Sequence, residues 1–548
     1  MFENIIKNKT GKKVILLGNE AIVRGALEEG VDFVSTYPGT PSSEIGNIFF
    51  KLSKDKKYKG YFEFSTNEKV ALEAGIGASY SGLKTLVAMK NFGANVALDA
   101  LAPFVYTGAK GPTVIIVADD PSCHSSAQSE ENSRGLAYLA HIPILEPSHV
   151  AECRDMVKLA FRLSQKFKMP IMVRTTTRVA HQRAVVSLGR LKSASNKGFF
   201  KKDKRMFVTL PPRVMQMKEE LLEKIKQMQK EIERLEVNKL LFKDSSARAG
   251  VVVSGVSYLY LEEALKELGL RLPVLKINSF YPLPENQIKK FIAGLDKLLV
   301  LEELEPYLEK EIAILSKEKN CRLSISGKNL LPQTGELRPE MVLQALAKFV
   351  GKKSIPIKPL SARLSRLEIS KRKPRLCPGC PYWLVVSAVK KAVKPDIIFG
   401  GEIGCYMLFG MPSINMQDYL SCMGSSVGIA HGIKKSSKQK LIAFVGDSSF
   451  FHSGIPALIN AVYNRSNPLI IILENETTAM TGHQPHPGIA NIPDNIKIER
   501  LVKACGVKHL KVIDPIEQKE FIETVRTFLK KPEVSVIISR RPCIQIKK

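Results

Sequence analysis

Long apolar runs are missing from this 548-residue sequence, and their absence excludes one class of protein. No apolar stretch approaches the roughly 20 residues that a membrane-spanning helix needs. The opening residues, MFENIIKNKTGKKVILLGNE, also lack a signal peptide's order of basic end, apolar stretch and small-residue cleavage site. We therefore expect a soluble protein at a cytoplasmic address.

Acidic residues are scarce compared with basic ones. The chain has 82 Lys and Arg against 53 Asp and Glu, which gives a net charge of +29. Such a charge attracts polyanions over long range. The basic residues are spread along the chain, however, and the densest runs, KGFFKKDKR and SKRKPR, lie in apparent connectors. This distribution favours a solvated basic surface over a specific nucleic-acid site.

Cysteine is also sparse, with nine residues in the whole chain. This number argues against a disulfide framework and for metal ligation or simple burial. Cys377 and Cys380 form a CPGC pair, Cys405 follows a strand pattern, and Cys543 lies in SRRPC.

Strand, turn and helix patterns recur along the chain and indicate an α/β protein. Short apolar segments such as PTVIIVADDP and KMPIMVRTT are separated by helical stretches, as in parallel sheets. KKVILLG reads as a further strand near the start. We predict an α/β domain at 1–185, a smaller one at 246–350 and a third at 371–548.

The connecting segments are predicted at 186–245 and 351–370. The first is basic and carries apolar residues at intervals of three and four, which predicts an amphipathic helix. The apolar residues are Val214, Met217, Leu221, Ile225, Met228, Ile232 and Leu235. A connector helix packed on a neighbouring domain is favoured over a coiled coil, because the pattern lasts only about three heptads.

The stretch GDSSFFHSGIPALINAVYNRSNPLIIILENETTAM brings two oxygen-bearing side chains toward one edge of a sheet. Asp447 ends the strand LIAFVGD and Asn475 ends the next strand, LIIILEN. Ligands of open α/β sheets bind at the carboxyl ends of strands. Magnesium prefers such oxygen ligands and completes its shell with a diphosphate, and Thr477 can add a backbone carbonyl. The simpler alternative is that Asp447 only caps a helix.

GDSSFFHSGIPALINAVYN and TTAMTGHQPHPG resemble the large subunit of indolepyruvate ferredoxin oxidoreductases, which use thiamine diphosphate. The resemblance implies a thiamine-diphosphate-binding fold with two doubly wound parallel-sheet domains, one binding the pyrimidine and one the diphosphate. The smaller domain between them is then similar to a transketolase C-terminal domain. The implied cofactor-binding residues are Pro38, Gly39, Thr40, Gly424, Gly446, Asp447, Ser448, Asn475, Thr477 and Met480.

YPGTPSSE and STNEKVALEAGIGASYSGLK resemble the family's pyrimidine-binding domain. Glu68 matches the glutamate that hydrogen-bonds the aminopyrimidine ring and promotes deprotonation of the thiazolium carbon. Without the resemblance, Glu68 would be an acid favoured at a helix start by the macrodipole. His483 and His486 are placed near the cofactor by analogy, where they meet a carboxylate or an aryl group, or else are structural.

The resemblance also implies an iron–sulfur cluster on Cys377, Cys380, Cys405 and Cys543, since related enzymes place a 4Fe–4S cluster beside the thiamine. Zinc suits four cysteines equally well. Arg134, in ENSRGLAYLAHIP, is a weaker candidate for binding a substrate carboxylate, and an exposed helix arginine is the alternative.

The implied reaction is oxidative decarboxylation of arylpyruvates, with coenzyme A taking the acyl group and ferredoxin the electrons. Expected partners are the small β subunit and ferredoxin, in a dimer of heterodimers. The sequence departs from the family at Tyr382 and Trp383, where His-Arg is usual. The family's C-terminal ferredoxin-like domain does not follow RRPCIQIKK, so we expect a separate polypeptide to carry that relay. The alternatives are a non-oxidative thiamine-dependent decarboxylase and a non-catalytic basic scaffold.

Overall fold

The protein is described here from a computed structural model. The structure describes residues 2–195, 197–242, 246–352, 374–489 and 495–546. The linker predicted at 351–370 lies outside these residues except for its first two. The chain forms two compact units, of which the first comprises Met1–Glu63 and Glu68–Arg366 and the second Phe64–Asn67 and Leu367–Lys548.

Helices cover much of both units. The α-helices of the first unit are Phe2–Ile6, Gly18–Glu28, Ser43–Ser53, Glu68–Tyr80, Asn91–Thr107, Gly135–Ala140, Val150–Phe167, Thr177–His181, Lys204–Phe207, Arg213–Ile232, Ser257–Glu267, Glu285–Ile292, Tyr307–Lys319 and Pro339–Phe349. Those of the second are Tyr382–Ala392, Ser425–Ser436, Asp447–Ser449, Ile455–Tyr463, Ile498–Ala504 and Gln518–Phe528. Tighter or wider turns occupy Pro121–Cys123, Cys405–Gly410, Phe450–Gly454 and Ala479–Thr481. Among the described residues, no helix has the length and apolar character needed to cross a membrane.

A seven-stranded sheet forms the centre of the first unit. Its strands, in spatial order, are Ser279–Tyr281, Ile144–Leu145, Ile171–Thr176, Thr113–Asp119, Thr85–Lys90, Phe33–Thr36 and Tyr61–Phe64. The edge strand Ser279–Tyr281 runs antiparallel to its neighbour. Thr85–Lys90 and Thr113–Asp119 are buried at every position. Their apolar runs are what a parallel sheet covered on both faces requires.

Two further sheets belong to the first unit. A five-stranded sheet has the order Ser324–Ser326, Lys297–Leu301, Ala249–Ser254, Val274–Ile277 and Lys239–Leu241, the last being antiparallel. The strand expected from KKVILLG exists at Lys13–Leu17, but it pairs antiparallel with Arg183–Ser187 in a separate ribbon. The strand Lys13–Leu17 is therefore not part of a parallel sheet. Its partner, Arg183–Ser187, follows the helix Thr177–His181 and runs in the opposite direction.

The second unit is built on a six-stranded parallel sheet. Its strands, in spatial order, are Tyr419–Leu420, Ile398–Gly401, Leu441–Gly446, Leu469–Glu474, Ser535–Arg540 and His509–Ile513. Leu441–Gly446 and Leu469–Glu474 are adjacent and buried at every position. Their carboxyl ends therefore open at the same edge, and the loops that follow them meet there.

The amphipathic pattern of the basic connector forms the helix Arg213–Ile232. Met217, Leu221, Ile225, Met228 and Ile232 are buried. The helix packs against Asn91–Thr107 and Val150–Phe167 of the same unit. The apolar stripe therefore faces the unit's own helices, as expected for a packed connector.

Candidate active site

Asp447 is the first residue after the buried strand Leu441–Gly446, and only 3% of it is exposed. Its Oδ1 accepts a hydrogen bond from the backbone N–H of Ser448 at 2.8 Å. Its Oδ2 accepts from the backbone N–H groups of Asn475 and Glu476, each at 2.9 Å. These three backbone N–H groups fix the orientation of the Asp447 carboxylate.

Asn475 follows the neighbouring strand Leu469–Glu474 and is buried. Its side-chain Oδ1 accepts from the backbone N–H of Thr477 at 3.2 Å, and its Nδ2 donates to the hydroxyl of Tyr382 at 2.9 Å. The structure therefore brings Asp447, Asn475 and Thr477 together at one sheet edge. Asp447 and Asn475 supply side-chain oxygen atoms at this edge, which is the donor type that a hard divalent cation prefers.

The two predicted histidines have different environments. His486 is buried, and its Nε2 lies 3.1 Å from Asp447 Oδ2, at ion-pair distance but without hydrogen-bond geometry. Its Nδ1 accepts from the backbone N–H of Gly488 at 3.2 Å. His483 is exposed and has a left-handed backbone, with φ 61°. Only His486 therefore contacts the predicted metal ligands.

The remaining predicted cofactor residues of the second unit surround the same strand ends. Ser448 is buried, and Thr478 donates to its hydroxyl at 3.0 Å. Gly424 precedes the helix Ser425–Ser436 with φ 77°, and a Cβ there would overlap with the backbone of Gly454. Glycine is required at such a position on both counts. Met480 is about half exposed.

Gly446 lies directly before Asp447 and packs against the ring of Tyr406, 2.9 Å from where a Cβ would be. This close approach admits no larger side chain without displacing the tyrosine. The glycine of the GDS turn therefore lets the strand end lie directly on a buried ring.

In the first unit, Glu68 begins the helix Glu68–Tyr80 and is buried. Gly93 lies directly against it, since a Cβ at Gly93 would overlap with the Glu68 carboxyl group. Pro38, Gly39 and Thr40 form the loop between the strand Phe33–Thr36 and the next helix.

This loop is held in place by its own hydrogen bonds. The Gly39 carbonyl accepts from the Ser42 hydroxyl at 2.7 Å, and the Thr40 carbonyl accepts from Ser125 at 3.1 Å. The PGT loop is thus fixed at the carboxyl edge of the seven-stranded sheet, where ligands of such sheets bind.

Cys377, Cys380, Cys405 and Cys543 share one region of the second unit. Burial raises the pKa of the Cys405 thiol to about 12, and negative charge on the other three adds to the effect. The pKa of Cys380 is also raised, by burial and then by Cys377 and Cys543. Among the described residues, no group of three or more His, Cys, Asp or Glu side chains is arranged to hold a single metal ion.

Cys543 also connects the cysteines to the predicted metal site. Its backbone N–H donates to the carbonyl of Asn475 at 3.0 Å, and the backbone N–H of Cys380 donates to the carbonyl of Cys377 at 3.1 Å. The backbone of Cys543 therefore lies next to Asn475, the residue that follows the strand Leu469–Glu474.

Three buried residues of this region had no place in the sequence prediction. Glu402 follows the strand Ile398–Gly401 and accepts a hydrogen bond from the Tyr406 hydroxyl. Burial raises the pKa of the Glu402 carboxyl to about 8, against the opposing effect of its hydrogen bonds. The third is Tyr382, which binds Asn475. Two signals in the sequence pointed to this group, namely the acid of GGEIGC directly after a strand and the departure from the family at Tyr382.

Arg134 is neither an exposed helix residue nor available to a substrate. It is 1% exposed, and its guanidinium donates to Glu146 and Glu302 at 2.7 Å each and to the hydroxyl of Ser254 at 2.7 Å. Both readings of its sequence context are therefore wrong. The reason is that carboxylates distant along the chain fold around it, and a buried charge needs such partners.

Comparison with known proteins gives three family matches along the chain. Residues 24–239 match the thiamine-diphosphate-binding model of pyruvate flavodoxin/ferredoxin oxidoreductases, and residues 239–374 match the indolepyruvate oxidoreductase domain. Residues 402–539 match the C-terminal thiamine pyrophosphate-binding domain of thiamine pyrophosphate enzymes.

The indolepyruvate oxidoreductase subunit IorA of Methanothermobacter marburgensis is 41% identical, over 99% of this chain and 88% of the relative. The chain belongs to the IorA family. The IorA of Pyrococcus horikoshii is 40% identical over 98% of this chain and 87% of its own. As a member of the IorA family, the protein is an oxidoreductase subunit, and the prediction from its motifs is confirmed.

The IorA-type chain also resembles a solved 2-oxoglutarate:ferredoxin oxidoreductase from Magnetococcus marinus. The TM-score is 0.51 at 16% identity, and the match covers 62% of this chain and 65%, less than two thirds, of the other. This likeness concerns the fold. The predicted multidomain α/β fold that binds thiamine diphosphate is confirmed.

Proposed function

We propose that this IorA-family chain catalyses the thiamine-diphosphate-dependent oxidative decarboxylation of arylpyruvates, including indolepyruvate, to aryl-acetyl-coenzyme A. Ferredoxin accepts the electrons. The observation that carries the proposal is the convergence of Asp447 and Asn475 at the ends of adjacent buried strands, in a chain of this family. When bound, thiamine diphosphate supplies the electron sink for loss of carbon dioxide.

Asp447, Asn475 and the backbone carbonyl of Thr477 would hold magnesium against the diphosphate. The residues fit the ion, because they offer oxygen atoms at one edge and Asp447 is fixed by three backbone N–H groups. Ser448 and Gly424 would line the diphosphate side.

Glu68 would hold the proton exchanged with the aminopyrimidine ring. A carboxyl buried at the start of a helix, against a glycine, has a fixed orientation and little access to water. These are the properties of a positioned general acid–base group. Pro38, Gly39 and Thr40 would form a cofactor-binding loop at the carboxyl edge of the first unit's sheet.

His486 and His483 would act on the substrate side. His486, whose Nε2 lies 3.1 Å from Asp447 Oδ2, would meet the substrate beside the metal site. His483, on an exposed turn, is available to a carboxylate or an aryl group. Met480 would contribute apolar surface beside the cofactor.

Cys377, Cys380, Cys405 and Cys543 would hold a 4Fe–4S cluster that takes electrons one at a time. The donor set fits, because four thiols share one region and their charges act on one another. Burial raises the pKa of the Cys380 and Cys405 thiols, so cluster assembly must displace the protons of these two.

The partners follow from the same proposal. The chain would act with the small β subunit and with ferredoxin or a separate ferredoxin-like subunit, in a dimer of heterodimers, in the cytoplasm. Domain limits at 1–185, 246–350 and 371–548 remain predictions from the sequence. Coenzyme A is the acyl acceptor that distinguishes this reaction from simple decarboxylation.

The test is anaerobic purification of the chain with its small subunit, followed by metal analysis and assays with indolepyruvate and phenylpyruvate. We expect about four irons per chain, and turnover that requires both coenzyme A and an electron acceptor. Cys543→Ser should lose the paramagnetic signal that substrate produces and keep thiamine binding. Asp447→Ala should lose thiamine diphosphate and magnesium together.

Three outcomes would contradict parts of the proposal. Turnover to an aldehyde without coenzyme A or an acceptor would identify a non-oxidative decarboxylase. Stoichiometric zinc without iron, in strictly anaerobic preparations, would remove the electron-transfer role of the four cysteines. Thiamine binding unchanged in Asp447→Ala would overturn the metal assignment.

A further inference from the structure

Tyr382 occupies a position that links the predicted metal site to the four cysteines. It is the second residue after Cys380, begins the helix Tyr382–Ala392 and is 5% exposed. Its ring packs edge-on against Phe409, with centroids 6.2 Å apart and planes 80° apart. The side chain is therefore fixed by packing, and its hydroxyl has a defined place inside the second unit.

The hydroxyl of Tyr382 is bonded to the side chain of Asn475. Asn475 Nδ2 donates to it at 2.9 Å, while Asn475 Oδ1 accepts from the backbone N–H of Thr477 at 3.2 Å. The backbone of Asn475 is held separately, by Asp447 on its N–H and by Cys543 on its carbonyl. The one torsion left to define is the rotation of the amide plane.

That rotation matters because the two ends of an amide have opposite properties. Oδ1 has lone pairs that a cation attracts, whereas Nδ2 carries two hydrogens that repel it. A half-turn of the amide would exchange them and turn a ligand into a repulsive group. The 3.2 Å bond from Thr477 is long for an N–H···O bond, so it is a weak constraint on its own.

A tyrosine hydroxyl can donate or accept, whereas the Nδ2 of an asparagine amide can only donate. In the bond between the two side chains the Tyr382 oxygen therefore accepts, and its lone pair faces Asn475 Nδ2. The hydroxyl can hold the amide in this way only while the nitrogen end points toward it.

We propose that Tyr382 is a positioning residue whose hydroxyl accepts from Asn475 Nδ2 and thereby keeps Asn475 Oδ1 on the side that would face magnesium. The inference rests on the proposed function, since it concerns the ion that Asp447 and Asn475 would share.

The test is Tyr382→Phe, which removes the hydroxyl and keeps the ring against Phe409. The readout is the Mg²⁺ concentration that half-saturates thiamine diphosphate binding, measured by calorimetry without substrate. We expect it to rise about tenfold, the effect of one lost buried hydrogen bond. Tyr463→Phe, at a tyrosine that is 83% exposed in the same unit, should leave it unchanged.

The same substitution in an Asn475→Asp variant distinguishes positioning of the Asn475 amide from packing of the Tyr382 ring. In Asn475→Asp the carboxylate has two equivalent oxygens, so there is no amide orientation to fix. Adding Tyr382→Phe to Asn475→Asp should change the Mg²⁺ requirement by less than about twofold, because the two side chains act through one interaction.

The possible adverse results differ in which claim they would overturn. An unchanged Mg²⁺ requirement in Tyr382→Phe, with Asp447→Ala unable to bind the cofactor, would overturn the inference alone. A tenfold effect that persists in the Asn475→Asp background would reduce Tyr382 to a packing role. Magnesium-independent binding of thiamine diphosphate by the unmodified chain would overturn the proposed metal site and the inference together.

Discussion

Glu68 shows how much depends on the chemistry of one atom. The carboxyl is buried against Gly93, where a larger residue would overlap with it. Glu68→Gln keeps the shape and removes the exchangeable carboxyl proton. We expect thiamine diphosphate to bind with little change while hydrogen–deuterium exchange at its thiazolium carbon slows by about 100-fold or more. Exchange at the unmodified rate, followed by NMR after acid quench, would show that Glu68 is structural.

Glu402 should make stability depend on pH. Its pKa is raised from 4.5 to about 8 because burial disfavours the charged carboxylate. The folded protein therefore holds this proton where the unfolded chain has released it. The free energy of unfolding should fall as pH rises from 4.5 to about 8 and then level off.

The isosteric change Glu402→Gln tests this expectation. The substitution should remove the part of the pH dependence that Glu402 causes. Between about pH 5 and about pH 8, the thermal midpoint of the variant should therefore drop less than that of the unmodified protein. Parallel pH profiles for the two proteins would assign the dependence to another group.

At the residue scale, the sequence predicts best those residues that directly follow a buried strand. Asp447 and Asn475 could be placed together because strand, helix and strand each carry a clear periodicity. Arg134 could not be placed, since its environment comes from Glu146 and Glu302, and the second is 168 residues away. Tyr382 shares this limit, because its bond to Asn475 spans 93 residues.

At the scale of elements, the helix Arg213–Ile232 offers a matched comparison. Met228 on its apolar face is fully buried, whereas Met215 on the same helix is 67% exposed. Met228→Ala should lower the free energy of unfolding by about 2–5 kcal/mol, because it removes packed atoms and leaves a cavity. Met215→Ala should change it by less than about 0.5 kcal/mol. Equal thermal midpoints for the two variants would contradict the packing of this helix.

Elements differ in how well their partners can be foreseen. The strand Lys13–Leu17 was predicted as a strand, and it is one. Its pairing with Arg183–Ser187 in a separate antiparallel ribbon was not, because apolar alternation identifies a strand without naming its neighbour. The helices and central strands of the sheets were readable because their patterns are local, whereas sheet order is set by contacts distant along the chain.

For the molecule as a whole, the net charge of +29 should act on electron acceptors. A basic surface raises the encounter rate of anions and lowers that of cations, and salt screens both effects. We expect reduction of an anionic dye to slow with rising ionic strength and reduction of a cationic viologen to accelerate. Identical salt dependence for the two acceptors, measured as second-order rates, would show that the charge does not influence electron transfer.

The strand order of the six-stranded sheet also has a consequence for biosynthesis. Ser535–Arg540 is inserted between Leu469–Glu474 and His509–Ile513, although the ribosome makes it after both. Until that strand emerges, the nascent chain leaves Leu469–Glu474 without one neighbour, and Cys543 cannot approach Asn475. This edge of the sheet is therefore completed only when the last strand of the chain has been synthesised.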